Sequence, residues 1–75
     1  MKELIEYIAK SIVNSPEEVE VNEETDEGGT RFTLKVADED KGRVIGKQGR
    51  IAAAIRTLIR VKAAKAGTRA TLEIL

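Results

Sequence analysis

Apolar residues recur at two different intervals along this chain, and the order of those intervals restricts the fold more than any single residue does. Leu4, Ile5, Ile8, Ala9 and Ile12 follow the i, i+3, i+4 spacing of an amphipathic helix over residues 2 to about 13, with Lys2, Glu3, Glu6 and Lys10 on the opposite face. Asn14-Ser15-Pro16 ends that helix, because a residue preceding proline avoids the α region. Ser15-Pro16-Glu17-Glu18 has the form of a helix start, yet Val19-Glu20-Val21 switches at once to alternation, so a single turn is expected there. Val19 to about Thr25 reads as a short acidic strand, and Asp26-Glu27-Gly28-Gly29 as a turn. Thr30 to Ala37 is the clearest strand, with Phe32, Leu34 and Val36 on one face and Arg31, Thr33 and Lys35 on the other. The two strands are expected to form an antiparallel hairpin.

The helical interval then returns. Asp38 to Ile45 reads as a short helix with acids in its first turn, where they favour the macrodipole, and Gly46 stops it. Arg50 to about Ala66 reads as a longer helix that buries Ile51, Ala54, Ile55, Leu58, Ile59 and Val61, with Gly67 as its C-cap. Thr68 to Leu75 alternates again, Ala70, Leu72 and Ile74 inward and Arg69, Thr71 and Glu73 outward. The order is α-β-β-α-α-β, without internal repeat. A two-helix crossover between the last two strands calls for parallel pairing. That places Thr30–Ala37 in the centre of a three-stranded mixed sheet with helices packed on one face, an α+β fold. A chain of 75 residues is expected to make one domain over 1–75.

The chain has no cysteine and no histidine. Disulfide staples, thiol nucleophiles, histidine bases and the ordinary zinc sites are therefore excluded, and stability must come from an aliphatic core. No stretch approaches the apolar length of a membrane span, and Met1-Lys2-Glu3-Leu4 does not open a secretion signal, so a soluble cytoplasmic protein without a membrane partner is expected. Carboxylates are plentiful, but none is framed by a nucleophile or a cofactor motif. An enzyme is not expected, nor is a cofactor. The acids between Glu17 and Glu27 lack the spacing of a calcium loop and read as a charged edge that discourages aggregation.

A formal net charge of zero conceals a sharp division. Residues 1–40 carry four basic and twelve acidic side chains, whereas residues 41–75 carry nine basic and one acidic. The second half therefore projects a local positive field to which a polyanion responds, while the first half opposes loose binding to any phosphate backbone. A solvated helix surface balanced by the acidic half would have the same composition. Arg56 and Arg60, one turn apart, read first as such a solvated face and second as an extension of a nucleic-acid path.

Within the basic half, Gly46-Lys47-Gln48-Gly49 sits between two helices. Two glycines three apart arise by chance in about half of chains of such glycine content, so the spacing alone is weak. The context is stronger: no Cβ keeps a ligand backbone away at Gly46 or Gly49, unsatisfied N–H groups at the following helix start face outward, and Lys47 and Arg50 add charge. Glycine used only to pack a tight corner is the alternative. The loop is not a nucleotide P-loop, which needs a longer run before Gly-Lys-Ser/Thr.

Val44-Ile45-Gly46-Lys47-Gln48-Gly49, with Ile51 following, resembles the V-I-G-x-x-G-x-x-I signature of KH domains, and the α-β-β-α-α-β order resembles their type II arrangement. Asp40 to Gly49 further resembles the D-x-G-x-V-I-G-[KR]-x-G pattern of the small bacterial single-KH proteins of the KhpA family, and the likeness spans essentially the whole chain. The resemblance implies single-stranded RNA binding, in which a GxxG loop clamps about four nucleotides. Carried onto this chain, Gly46, Lys47, Gln48 and Gly49 would hold phosphates, with Arg50 and Arg43 as electrostatic partners and Val44 or Ile45 in an aliphatic groove floor. It also implies a role as an RNA chaperone or regulatory RNA-binding protein. As partners it implies a second copy, or a larger KH-containing protein of the Jag/KhpB type; composition and spacing point to neither. Tyr7 and Phe32 are the only aromatic residues, which argues against a stacking platform and for weak binding by one domain. Single-stranded DNA stays open as a ligand, because a backbone grip alone does not read the 2′-OH. The competing reading is a protein-interaction or dimerisation module with minor nucleic-acid contact.

Overall fold

The computed structural model describes residues 1–75. Helix α1 spans Lys2–Ile12, strand β1 Glu20–Asp26, strand β2 Gly29–Lys35, helix α2 Lys41–Ile45, helix α3 Arg50–Lys65 and strand β3 Ala70–Ile74. Single 3-10 turns at Pro16–Glu18, Asp38–Asp40 and Lys47–Gly49 link them. The expected order is therefore present. The turn before β1 goes no further than Glu18, because proline at its start fixes one turn and the valines beyond it are drawn into the core.

The sheet runs β1-β2-β3 with β2 central, β1 antiparallel to it and β3 parallel. Val21 faces Leu34 across the first pair, and Phe32 faces Leu72 across the second, so one face of the sheet is apolar through all three strands. Against it α1 contributes Ile5 and Ala9, α2 contributes Val44, and α3 contributes Ile55, Ile59 and Ala63. Phe32 and Leu34 have almost no exposed surface. Each contributes about 2–3 kcal/mol by leaving water. β2 is shorter than the sequence indicates: Val36 and Ala37 stay buried but lie past its end, where the chain turns toward α2. Likewise Asp38–Ile45 is not one helix but a 3-10 turn followed by α2.

Close approach, more than turn flexibility, dictates Gly29. A Cβ there would lie 2.6 Å from the Arg69 carbonyl oxygen, next to the Thr30 N–H bond to that same carbonyl at 2.9 Å. Glycine at the hairpin thus lets the parallel ladder between β2 and the start of β3 form.

One expectation fails on α3. Its buried residues are Ala52, Ile55, Ile59 and Ala63, while Ile51, Leu58 and Val61 are 37%, 48% and 49% exposed and Ala54 is exposed as well. The apolar residues of this helix cover an arc of about 200°, at about 100° per residue, and one contact with a sheet cannot bury so much. Alanines at 52 and 63 let the helix lie close on that side. The bulkier Ile51, Leu58 and Val61 are left as a separate stripe facing away from the sheet.

Candidate nucleic-acid interface

Glycine conformation shapes the turn between α2 and α3. Gly46 closes α2 with its N–H on the Gly42 carbonyl (2.9 Å) and then adopts φ 77°, ψ 174°. That region is essentially reserved for glycine. A Cβ at Gly46 would also stand 2.7 Å from Cγ1 of Ile51, which packs beneath the turn. Gly49 has φ 72°, ψ 16°, and here a Cβ would meet no atom within 4 Å. The two glycines therefore differ in kind: Gly46 is needed by fold and conformation together, Gly49 by conformation and by whatever occupies the open space beside it.

Between them Gln48 adopts φ 56°, ψ 25°, the only non-glycine residue of the chain with positive φ. A glutamine held there stores about 1–2 kcal/mol of strain. Residue type carries no signal for this, since glutamine has no preference for that conformation. Its side-chain oxygen accepts a hydrogen bond from the Arg50 guanidinium at 3.2 Å, which holds the arginine over the turn. The first hydrogen bond made within the turn is that of the Gly49 N–H to the Gly46 carbonyl, 3.2 Å. The Lys47 and Gln48 amides precede it and find no partner inside the turn, an arrangement suited to an anion.

Charge reinforces the point. Lys47, Gln48 and Arg50 are exposed, and neither Lys47 nor Arg50 pairs with a carboxylate. Of the nine basic residues after residue 40, only Lys41 (to Asp38, 3.3 Å) and Arg43 (to Asp40, 3.7 Å) do so. Arg43 is thus half-neutralised by a buried acid and stands one turn before the loop. Ile45, 39% exposed, lies one turn from Gly42 on α2. A Cβ on Gly42 would also meet nothing within 4 Å, so an open, apolar strip adjoins the turn. Val44, expected as a possible floor residue, is a core residue instead: with no exposed surface it supports the turn from below and is out of reach of a ligand.

Asp40 is the residue that sequence reading undervalued. It is the one buried charged side chain, fully enclosed. Although it stands at the N-cap position of α2, its carboxylate does not cap that helix. It accepts the backbone N–H groups of Asn14 (3.1 Å) and Ser15 (3.0 Å) and tethers the end of α1 to the start of α2. The signal was present in Asn14-Ser15-Pro16, a helix end whose freed amides need an acceptor from elsewhere.

The two free sheet edges are unlike. β1 carries Glu20, Glu23, Glu24 and Asp26, whereas β3 carries Glu73 alone and lies beside α3, which has no acid at all. The positive charge around the loop is therefore least opposed by acids on the β3 side. The clefts elsewhere do not compete: the hollow of about 260 Å³ where the hairpin meets the start of β3 has no apolar lining residue and includes Asp26. No group of acids is disposed to hold a metal ion, and no helix is long and apolar enough to cross a membrane.

A GxxG turn joining two helices, set against a β1-β2-β3 mixed sheet with β2 central, defines a KH domain of type II. Comparison with known proteins gives the particular family: this chain belongs to the KhpA/KhpB KH-domain family, which it matches over residues 2–74. It is 56% identical over its full length to the RNA-binding protein KhpA of Clostridium acetobutylicum, also covered in full. Identity is 53% to the RNA-binding protein KhpA of Clostridium perfringens, again over both complete chains. It is 50% to that of Treponema pallidum, over 99% of this chain and 92% of the relative. No solved structure matches the chain significantly.

Proposed function

We propose that this chain is a single KH domain that binds single-stranded RNA, holding phosphates at Gly46–Gly49 and laying the strand along the β3 side of the sheet. The observation that carries this reading is the turn itself. Strain at Gln48 and a glycine-only conformation at Gly46 hold the unbonded Lys47 and Gln48 amides beside an unpaired lysine side chain, next to the open surface at Gly49. Strain of this kind persists where function requires it. The names of the relatives support the same ligand. Arg50, poised by Gln48, adds a second positive group, and Arg43 a third that must leave Asp40 in order to serve.

With few phosphate contacts and no stacking aromatic residue, affinity is expected near micromolar or weaker. RNA chaperoning or regulation in the cytoplasm suits such a grip, because weak contacts exchange readily. The test is binding of mixed-sequence single-stranded RNA by the wild type and by Lys47→Asp/Gln48→Asp. Aspartate tolerates the positive φ of position 48, so the fold should survive, as circular dichroism would verify. The double variant should bind at least tenfold more weakly. Wild-type affinity should fall with salt at a logarithmic slope of about −0.7 for each phosphate held. Equal binding by both proteins, or no binding by either at any salt, refutes the grip. Running single-stranded DNA of the same sequence in parallel shows whether the sugar is read.

A second reading has its own observation, the exposed stripe of Ile51, Ala54, Leu58 and Val61 on α3. An apolar helix face of this kind suits pairing with a second copy or with a larger KH-containing protein, and a second module would raise weak affinity by avidity. Leu58→Glu should halve the mass measured by sedimentation if the chain pairs through this face, with RNA binding weakened but not abolished. An unchanged mass removes the stripe from consideration.

A further inference from the structure

The phosphate grip uses Lys47 for its charge, yet the same side chain carries an amine that forms amides with activated acyl groups. Lys10 and Lys41 are held by Glu6 at 3.9 Å and by Asp38 at 3.3 Å. Lys47, Lys62 and Lys65 are exposed and have no carboxylate partner. These three stand at opposite ends of one helix: Lys47 lies in the turn before α3, and Lys62 and Lys65 lie in its last turn. Exposure does not separate them, so any difference in their reactivity must come from their surroundings.

The surroundings are opposite in polarity. At Lys47 the amides of Lys47 and Gln48 are unbonded, and the Arg50 guanidinium is held over the turn by the Gln48 side chain at 3.2 Å. The space beside Gly49 is open, since a Cβ there would meet nothing within 4 Å. At the far end the amides are used up. Ala66 N–H bonds the Lys62 and Ala63 carbonyls, Gly67 N–H bonds that of Ala64, and Thr68 N–H returns to that of Ala63. Lys62 and Lys65 therefore stand at the negative end of the helix, where no N–H group is free to hold an anion. A small anion that carries an acyl group is concentrated beside Lys47 and not beside the other two.

We infer that Lys47 is an acylation site for acyl phosphates, whose phosphate group is held by the turn in the way proposed above for RNA. The ammonium first loses a proton to solvent, and the amine nitrogen then attacks the acyl carbon. The bond from that carbon to the bridging oxygen breaks, and phosphate departs with the bonding electrons. The nitrogen sheds its second proton to solvent, and a neutral amide remains. Acylation removes the one unpaired charge inside the turn and so weakens the grip on RNA. The turn is thereby a site where the supply of acyl phosphate sets the affinity for RNA.

Wild-type protein would be incubated with acetyl phosphate, and the acetylation rate of each lysine followed by peptide mass spectrometry. Lys47 should react at least about tenfold faster than Lys62 and Lys65, a small part of the gain available to a reagent held in place. Inorganic phosphate should slow Lys47 alone, as should Arg50→Met, with Lys62 and Lys65 as controls within the same molecule. Acetic anhydride, which carries no phosphate, should acetylate the three alike. Equal rates with acetyl phosphate, a preference for Lys47 that persists with acetic anhydride, or a Lys47 rate indifferent to both phosphate and Arg50→Met would each overturn the inference. Lys47→Gln, neutral like the acetylated side chain, should bind single-stranded RNA several-fold more weakly than Lys47→Arg, with a salt slope shallower by about 0.7. Equal binding by these two variants would remove the effect of acylation on RNA. Salt-dependent RNA binding by the wild type with uniform acetylation would refute the acylation site and leave the phosphate grip intact. Preferred acetylation of Lys47 without RNA binding would refute the RNA reading and leave the acylation site.

Discussion

Asp40→Ala should lower the unfolding free energy by about 3 kcal/mol, since hydrogen bonds to charged groups contribute about 1.5–3 kcal/mol each and two backbone amides lose their acceptor together. The Asn14 and Ser15 N–H groups would be stranded at a partly buried helix end, and the enclosed site of the carboxylate would be left as a void. Against a total of about 4–11 kcal/mol for a domain of this length, that loss should be plainly visible in a urea titration. Asp40→Asn separates the causes. It keeps one carbonyl acceptor and nearly the same volume, so it should lose only about half as much. Equal losses in the two variants would mean that the negative charge itself, and its attraction to Arg43 at 3.7 Å, matters more than the two amides. Either variant releases Arg43 from its acid. A folded Asp40→Asn protein that binds RNA no better than the wild type would show that Arg43 adds little to the grip.

Gly46→Ala should be the most damaging single-methyl change in the loop, at about 3 kcal/mol, while Gly49→Ala should cost about 1 kcal/mol. Both introduce a Cβ at positive φ, but only at Gly46 does it collide with Ile51, at 2.7 Å, and only there does ψ of 174° exclude every residue except glycine. Thermal denaturation of the two variants gives the comparison. Adding Ile51→Ala to Gly46→Ala should recover the steric part and leave the conformational part, so the pair should be less destabilised than the separate losses summed. If the two glycine variants prove equally stable, the packing of Ile51 under the turn is not what fixes Gly46. RNA binding should order them differently from stability. Gly49→Ala fills space beside the turn that no protein atom occupies, and should weaken binding more than its small effect on folding suggests.

The elements were legible from sequence because each carries a period that a single contact layer can satisfy. Phe32, Leu34 and Val36 alternate strictly and all three are buried, and Ala70 and Leu72 behave likewise on β3. On α3 legibility ended, since apolar residues there occupy more of the circumference than one sheet contact can cover. Sequence could not say which arc turns inward, and Ile51, Leu58 and Val61 turned out to face solvent while Ala52 and Ala63 met the core. For the site, the glycines and the charges around them were readable as residue types. Val44 was not separable from Ile45, although one lies wholly in the core and the other is 39% exposed, because adjacent residues on a one-turn helix differ only in rotation.

Sequence by itself thus determined the order α-β-β-α-α-β, the central place of the second strand, the aliphatic core and the location of a basic glycine turn. All of these depend on local periodicity, on glycine and proline conformation, and on the crossover that a parallel pair requires. Tertiary structure alone decided the relations between distant residues: Asp40 against Asn14 and Ser15, Arg56 against Leu72, Ile51 beneath Gly46, and the acid-free helix α3 beside β3, whose one acid is Glu73. Each depends on which groups of a folded chain come within bonding distance. Partners separated by 16 or 26 residues leave no periodic trace by which one could be matched to the other.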